Sequence, residues 1–269
     1  MNQLEKDIAE SKPQLAPHEH ASAPVTALAV DYRDGQHVPR HRHRRAQLLY
    51  AIEGVMTVQA EAGIWVAPPT RGIWLPAGMA HSIRMHGQPR VRTVFVAPRA
   101  AGHLPDRCCV LAVGPLLREL IVAATRVPPD WRPGGRDARL MALLLDEIRL
   151  EPALPLHLPQ PDEPRVARVC RGILSEPGAA RGLAEWAAEL GVTAKTVQRL
   201  FVRHTGMTFG RWRQQAGLLW AMRRLAEGVR VLDVALELGY DSPSAFAAMF
   251  RRAIGEPPSA FAARREPPA

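Results

Sequence analysis

From Val25 to about Pro98 the apolar residues come in short runs broken by turn formers: Val25–Tyr32, Gln47–Ile52, Val55–Ala60, Ile64–Ala67, Arg71–Leu75 and Arg92–Val96. Gly54, Ala62-Gly63, Pro68-Pro69, Pro76 and Gly78 stand at the corners. Many short strands at this spacing predict a small barrel or sandwich. The apolar period then lengthens. Pro115–Thr125 and Arg136–Leu150 read as helices, the second with Leu140, Leu143, Leu144 and Ile148 on one stripe. Pro152, Pro155, Pro159, Pro161 and Pro164 predict a stiff, extended linker. Everything after about Glu163 reads as helix, while residues 1–22 are polar and carry no apolar run. The fold class is therefore α+β in two domains. Residues 1–159 form a β-barrel with flanking helices, and residues 160–269 form an all-α domain.

A single pattern occurs twice in the helical region. Leu183-Ala-Glu-Trp-Ala-Ala-Glu-Leu190 leads through Gly191-Val192 into Thr193 to His204, and Val231 to Leu238 leads through Gly239-Tyr240 into Ser242 to Ala253. A small Ala (Ala187, Ala235) sits four residues before each Gly, where two helices must pass closely. The Gly tolerates the positive φ of a sharp turn between helices. Val197, Leu200 and Phe201 follow the first turn at the spacing that Phe246, Met249 and Phe250 follow the second. A repeat of this kind is two helix-turn-helix units.

With the apolar residues turned inward, the first recognition helix presents Ala194, Lys195, Gln198 and Arg199, beginning at the N-cap Thr193 and followed by Arg203. Gln pairs bidentately with adenine and Arg with guanine. The second helix presents Ser242, Pro243, Ser244, Ala247 and Ala248, with Arg251 and Arg252 placed for phosphates. The halves are thus expected to be unequal, one reading sequence and the other anchoring. Thr208 to Glu227 reads as one connecting helix, ~30 Å long at ~1.5 Å per residue. Successive major-groove entries on one face of DNA lie ~34 Å apart.

These residues resemble the AraC/XylS family of transcription regulators. The match runs Val234-Ala-Leu-Glu-Leu-Gly-Tyr-Asp-Ser-Pro-Ser-Ala-Phe-Ala-Ala-Met-Phe-Arg-Arg-Ala-Ile-Gly-Glu-Pro-Pro-Ser-Ala-Phe261, and Thr205-Gly-Met-Thr-Phe209 fits the first repeat. It covers roughly residues 163–265. The resemblance implies binding to double-stranded promoter DNA, usually as a homodimer, and contact with RNA polymerase in an activator. Family members commonly carry a polar or basic residue where Ala247-Ala248 stand here, which fits a second helix that anchors.

Composition narrows the rest. A net charge of +9 and a pI near 10.4 favour polyanionic partners, and 47% apolar with 23% charged residues describes a soluble globular chain. The charge is concentrated locally: Lys195, Arg199, Arg203 and Arg211 lie between Thr193 and Trp212 without an acid. No signal peptide or membrane span is legible, and Cys108, Cys109 and Cys170 make no disulfide framework, so a reducing cytoplasm is expected.

Nine of the ten histidines precede residue 160. His41, His43 and Gln47 share odd parity and on one strand would face the barrel interior; His81, after Pro76-Ala-Gly78, could approach from a neighbouring strand. Three imidazoles and an amide oxygen suit a borderline divalent cation. The stretches Gly35 to Gly54 and Pro76 to His81 resemble the two motifs of cupin barrels, with Gln47 where metal-binding members carry Glu. The alternative is a pocket for a small organic effector, bounded by Trp65 and Trp74, with Arg40, Arg42, Arg44 and Arg45 making its mouth basic. The expected function is a ligand-responsive, non-enzymatic transcription regulator. A metal-dependent cupin enzyme with an accessory DNA-binding tail, and an architectural module whose barrel only dimerises, are the competing readings.

Overall fold

The short apolar runs before Pro98 do become strands, and four further strands stand beside them. In the computed structural model, which describes residues 15–149, 156–179 and 181–263, they are β1 (Val25–Asp31), β2 (His37–His41), β3 (Ala46–Ala51), β4 (Val55–Ala60), β5 (Gly63–Ala67), β6 (Arg71–Leu75), β7 (His81–His86), β8 (Arg90–Val96), β9 (Cys109–Ala112) and β10 (His157–Pro159). A helical stretch over residues 15–20, α1, precedes them. Two five-stranded sheets result, in the orders β1-β8-β3-β6-β9 and β10-β5-β4-β7-β2. β2, β7, β9 and β10 are not expected from the sequence pattern. β2 carries His, Pro and Arg where an apolar alternation would announce a strand, whereas in the short β7 Ile83 and Met85 are buried and alternate with Ser82 and Arg84.

All six positions of β3 are buried, because its faces meet different layers. Ala46, Leu48 and Tyr50 share a core with Trp74, Val94 and Val96 and with helices α2 (Pro115–Ala124) and α3 (Arg136–Glu147). Gln47 and Leu49 point to the opposite face, since side chains alternate along a strand. The stripe of α3 differs from expectation. Met141, Leu144 and Ile148 are buried, Leu140 is partly buried, and Leu143 is 44% exposed. Apolar residues cover more of this helix than the sheet does, and the period alone cannot say which edge is left over.

Contacts divide the chain into two units, one running to Ala153 and the other beginning at Leu154 and including Glu61–Ile64. The expected proline linker is shorter than the sequence suggests. Pro152 and Pro155 lie outside the described residues, whereas Pro159 closes β10 and Pro164 opens α4 (Pro164–Ser175). Both are sites that the fixed φ of proline suits, a strand end and the first helical position.

The second unit continues with α5 (Leu183–Glu189), α6 (Ala194–Thr205), α7 (Phe209–Ala226), α8 (Val231–Glu237), α9 (Pro243–Ile254) and α10 (Pro258–Ala263). Its axis is α7, whose 18 residues span about 27 Å. Phe209, Trp212, Ala216, Leu219, Met222 and Leu225 of α7 are buried, and α4, α6, α8 and α10 all pack on it. Trp212 also donates its indole N–H to the Pro159 carbonyl at 3.1 Å.

Candidate functional site

The two helix-turn-helix units are built by the same bonds. Gly191 and Gly239 adopt φ of +65° and +74°, a conformation a Cβ would strain. Directly after them the N–H of Val192 donates to the Ala187 carbonyl and that of Tyr240 to the Ala235 carbonyl, each at 3.0 Å. Both alanines are buried, as the close helix crossing requires. Each recognition helix then starts on a hydroxyl cap: Thr193 Oγ1 accepts from the Thr196 N–H and Ser242 Oγ from the Ala245 N–H, both at 3.2 Å. α6 and α9 have 12 residues each and end at glycines in the left-handed region, Gly206 and Gly255.

Inward-facing residues anchor both helices. Val197 and Phe201 of α6 and Phe246 and Phe250 of α9 are buried, while Leu200 and Met249 are half-buried. On the outer side Thr193, Lys195, Arg199 and Arg203 are exposed, with Ala194 and Gln198 half-buried. In the second unit Pro243, Ser244, Arg251 and Arg252 are exposed, and Ser242 and Ala247 half-buried.

Cation pairing separates scaffold from surface. Arg224 is tied to Glu227 and Glu237, Arg230 to Asp233, and Arg168 and Arg181 to Glu189. Among the described residues Lys195, Arg199, Arg203, Arg251 and Arg252 have no acidic partner. The two recognition helices therefore present unneutralised charge, where phosphates would meet it.

In the first unit a second arrangement stands out. His41 on β2 and His81 on β7 are direct cross-strand partners, and such residues share a face. One nitrogen each of His41, His43 and His81 lies within 4.8 Å of the other two, and His41 Nε2 is 3.0 Å from His43 Nε2. His41 Nδ1 donates to the Pro39 carbonyl at 2.7 Å and His81 Nδ1 to the Met79 carbonyl at 3.0 Å. His43 Nδ1 meets the Glu19 carboxylate of α1 at 2.5 Å. His81 Nε2 and Gln47 Oε1 are buried without a hydrogen-bond partner among the described residues.

Burial, reinforced by the neighbouring His41, brings the His81 pKa down to about 3, and burial lowers that of His41 as well. Both rings are neutral at pH 7. Burial raises the Glu19 pKa, but the bonds from His43 and from the Arg44 N–H outweigh it and leave a net lowering.

Three expectations for this site need correction. His41, His43 and Gln47 do not alternate along one strand: β2 ends at His41, β3 begins at Ala46, and residues 42–45 are irregular. The histidines converge through the irregular segment that carries the chain from one sheet to the other, which parity cannot foresee. Trp65 and Trp74 do not bound the neighbouring cavity of about 470 Å³, which is lined by residues of α1 and by Val38 to Arg44. Trp74 pairs with Leu48 and so faces α2 and α3, its indole N–H bonded to the Pro105 carbonyl at 2.8 Å. Arg40, Arg42 and Arg44 do line the cavity, but Arg45 is buried and donates to the carbonyls of His18, Ala21 and Ala23. Glu19 has no local signal that links it to residues so far along the chain, and the sequence pattern does not find it.

A sheet-built unit with a cavity beside its first helix, followed by paired helix-turn-helix units, is the architecture of a ligand-binding regulator of transcription. Residues 23–158 match the AraC-like ligand binding domain and residues 186–264 a helix-turn-helix domain. The chain is 33% identical over 248 residues to the HTH-type transcriptional regulator NimR of Escherichia coli K12, covering 92% of this chain and 90% of that protein. It is 30% identical over 131 residues to the HTH-type transcriptional regulator RipA of Corynebacterium diphtheriae, covering 48% and 37% respectively. A crystal structure of ToxT from Vibrio cholerae O395 aligns over 90% of this chain and 98% of that one, a distant likeness at 10% identity and a TM-score of 0.38. The chain belongs to the AraC family of transcriptional regulators, with a ligand-binding domain before its helix-turn-helix DNA-binding domain.

Proposed function

We propose that this regulator engages double-stranded promoter DNA with both recognition helices of one chain, α6 reading bases and α9 anchoring. In this reading Gln198 and Arg199 approach base edges, Thr193, Ala194, Lys195 and Arg203 flank them, and Ser242, Pro243, Ser244, Ala247, Arg251 and Arg252 meet the backbone and the thymine methyls. The observation that carries it is the duplicated unit whose outward cations lack acidic partners among the described residues. Helix α7 supports it, since about 27 Å plus its caps approaches the ~34 Å between groove entries.

The division of labour follows: residues 1–159, the cupin-like barrel, sense a small molecule or metal and dimerise, and residues 160–269 bind DNA. The chain acts as a cytoplasmic homodimer, is a regulator rather than an enzyme, and works with RNA polymerase if it activates. Among the described residues no helix is long and apolar enough to cross a membrane. DNase I footprinting on fragments selected from the source genome tests the reading. Protection across two successive major grooves on one face is expected; protection confined to a single half-turn, or none, overturns it. A monomer at micromolar concentration with and without DNA would remove the dimer.

A further inference from the structure

We infer that the cavity between α1 and β2 binds a small organic monoanion, a carboxylate on a compact apolar body, with Arg40, Arg42 and Arg44 receiving the charge. This rests on the reading of the first unit as the sensor and names the chemical class of its effector.

The cavity has the size and the wall for such a body. Its volume of about 470 Å³ falls inside the range of small-molecule pockets, roughly 300–1,000 Å³. Leu15 of α1 and Val38 and Pro39 of β2 are half-buried along it, and Ala16 adds a methyl group from α1. Hydroxyl groups set against these side chains would lose their bonds to water without replacement. A sugar or polyol is therefore a poor fit, and a hydrocarbon ring or branched chain a good one.

The lining histidines leave an anion little to bind. His43 Nδ1 meets the Glu19 carboxylate at 2.5 Å, and its Nε2 lies 3.0 Å from His41 Nε2. A hydrogen on each nitrogen of His43 accounts for both contacts, the ring being held by Glu19 and donating to His41. His41 gives its own N–H to the Pro39 carbonyl at 2.7 Å. All four ring nitrogens are then engaged within the protein. The same contacts occupy Glu19, the one acid among the described lining residues, which also accepts from the Arg44 N–H at 3.0 Å.

What remains free is positive. Arg40, Arg42 and Arg44 line the cavity, are exposed, and have no acidic partner for their guanidinium groups among the described residues. Three like charges on one short segment repel one another, and an anion between them relieves that repulsion. Guanidinium also matches a carboxylate with two parallel N–H···O bonds. The exposed arginines and the half-buried apolar residues set the orientation: carboxylate at the rim, body against Leu15 and Val38. An amine or metal cation would meet the rim's repulsion, and a neutral molecule would gain nothing from it.

The test uses the full chain with cyclohexylacetate and cyclohexylacetamide, probes of one shape that differ in charge. By calorimetry the acid should saturate one site per chain, and the amide should bind about 10–100-fold more weakly. Replacing Arg40 and Arg42 together by Gln should weaken the acid by a similar factor and leave the amide unchanged. Ala16→Trp, at an exposed position of α1, should fill the cavity and abolish binding of both. Circular dichroism checks folding, and should one variant unfold the other decides. No saturable binding of the acid, equal binding of acid and amide, or affinity indifferent to residues 16, 40 and 42 overturns the inference. Saturable binding that leaves the DNA footprint unchanged supports the site and counts against the first unit as the sensor, so the two failures are distinguishable.

Discussion

His41 and His81 stand directly opposite each other on β2 and β7, with ring centroids 4.4 Å apart. The register between these strands shifts between Val38 and His41, and the irregularity re-aims the end of β2. His43, in the irregular segment that follows, meets both rings, 4.7 Å from His41 and 5.6 Å from His81. A single cross-strand position thus gathers rings from β7 and from the end of β2 with the segment that follows it.

Base reading by α6 predicts a specific loss. Arg199→Ala should cost about 1–3 kcal/mol on the selected site and relax preference at one base pair. Competition binding against single-position variants of that site measures it. Equal weakening on specific and random DNA would show that Arg199 touches only phosphate.

Anchoring by α9 predicts the complementary behaviour. Arg251→Ala should weaken every sequence alike, and the slope of log affinity against log salt should become shallower by about one. Affinity measured across a salt series checks this, and a change confined to one sequence would contradict it.

Arg45 pins the segment that carries Glu19. Arg45→Met keeps much of the side-chain volume but leaves the carbonyls of His18, Ala21 and Ala23 without these donors. A loss of at least about 2 kcal/mol is expected, which would speed amide exchange over residues 15–23 by roughly 30-fold. Unchanged exchange would mean that α1 is held by other contacts.

The aromatic cluster at the end of the second repeat should be expensive to hollow. Phe250 is buried, its ring 5.8 Å from Phe246 and 5.4 Å from Phe261. Phe250→Ala should destabilise the helical unit by about 3–5 kcal/mol and abolish DNA binding at 37 °C. Denaturant titration followed by circular dichroism measures the first effect and a mobility shift the second.

The cysteines should behave as inert thiols. Burial pushes the pKa of Cys170 up to about 12 and that of Cys109 up to about 11, and raises Cys108 as well. At pH 7–8 each is protonated and a poor nucleophile. A chromogenic disulfide reagent should react slowly with the native protein and fast in guanidinium chloride. Fast native reaction at any of them would reopen a redox role.

The DNA-binding half was legible almost in full from residue order. Ala187 with Gly191 and Ala235 with Gly239 mark turns made by neighbours in sequence, and Thr193 and Ser242 are caps whose partners lie three residues on. Helix pattern, turn glycine and cap are all local, so one chain of letters contains them. The outward face followed by subtraction once the apolar residues were turned inward.

The sensor half was legible only in outline. Its apolar strands and the identity of the three histidines could be read, because burial and ligand chemistry belong to residue types. Their convergence was expected, but the route to it was not, for it depends on β2 pairing with β7, on the irregular segment after His41 and on Glu19 arriving from α1. Trp74 likewise faces α2 and α3 rather than a cavity only because its register partner is Leu48. Sequence settles what repeats within a turn or two of helix; which strand lies beside which is settled by packing the whole sheet, where long-range pairings satisfy backbone bonds and apolar faces together.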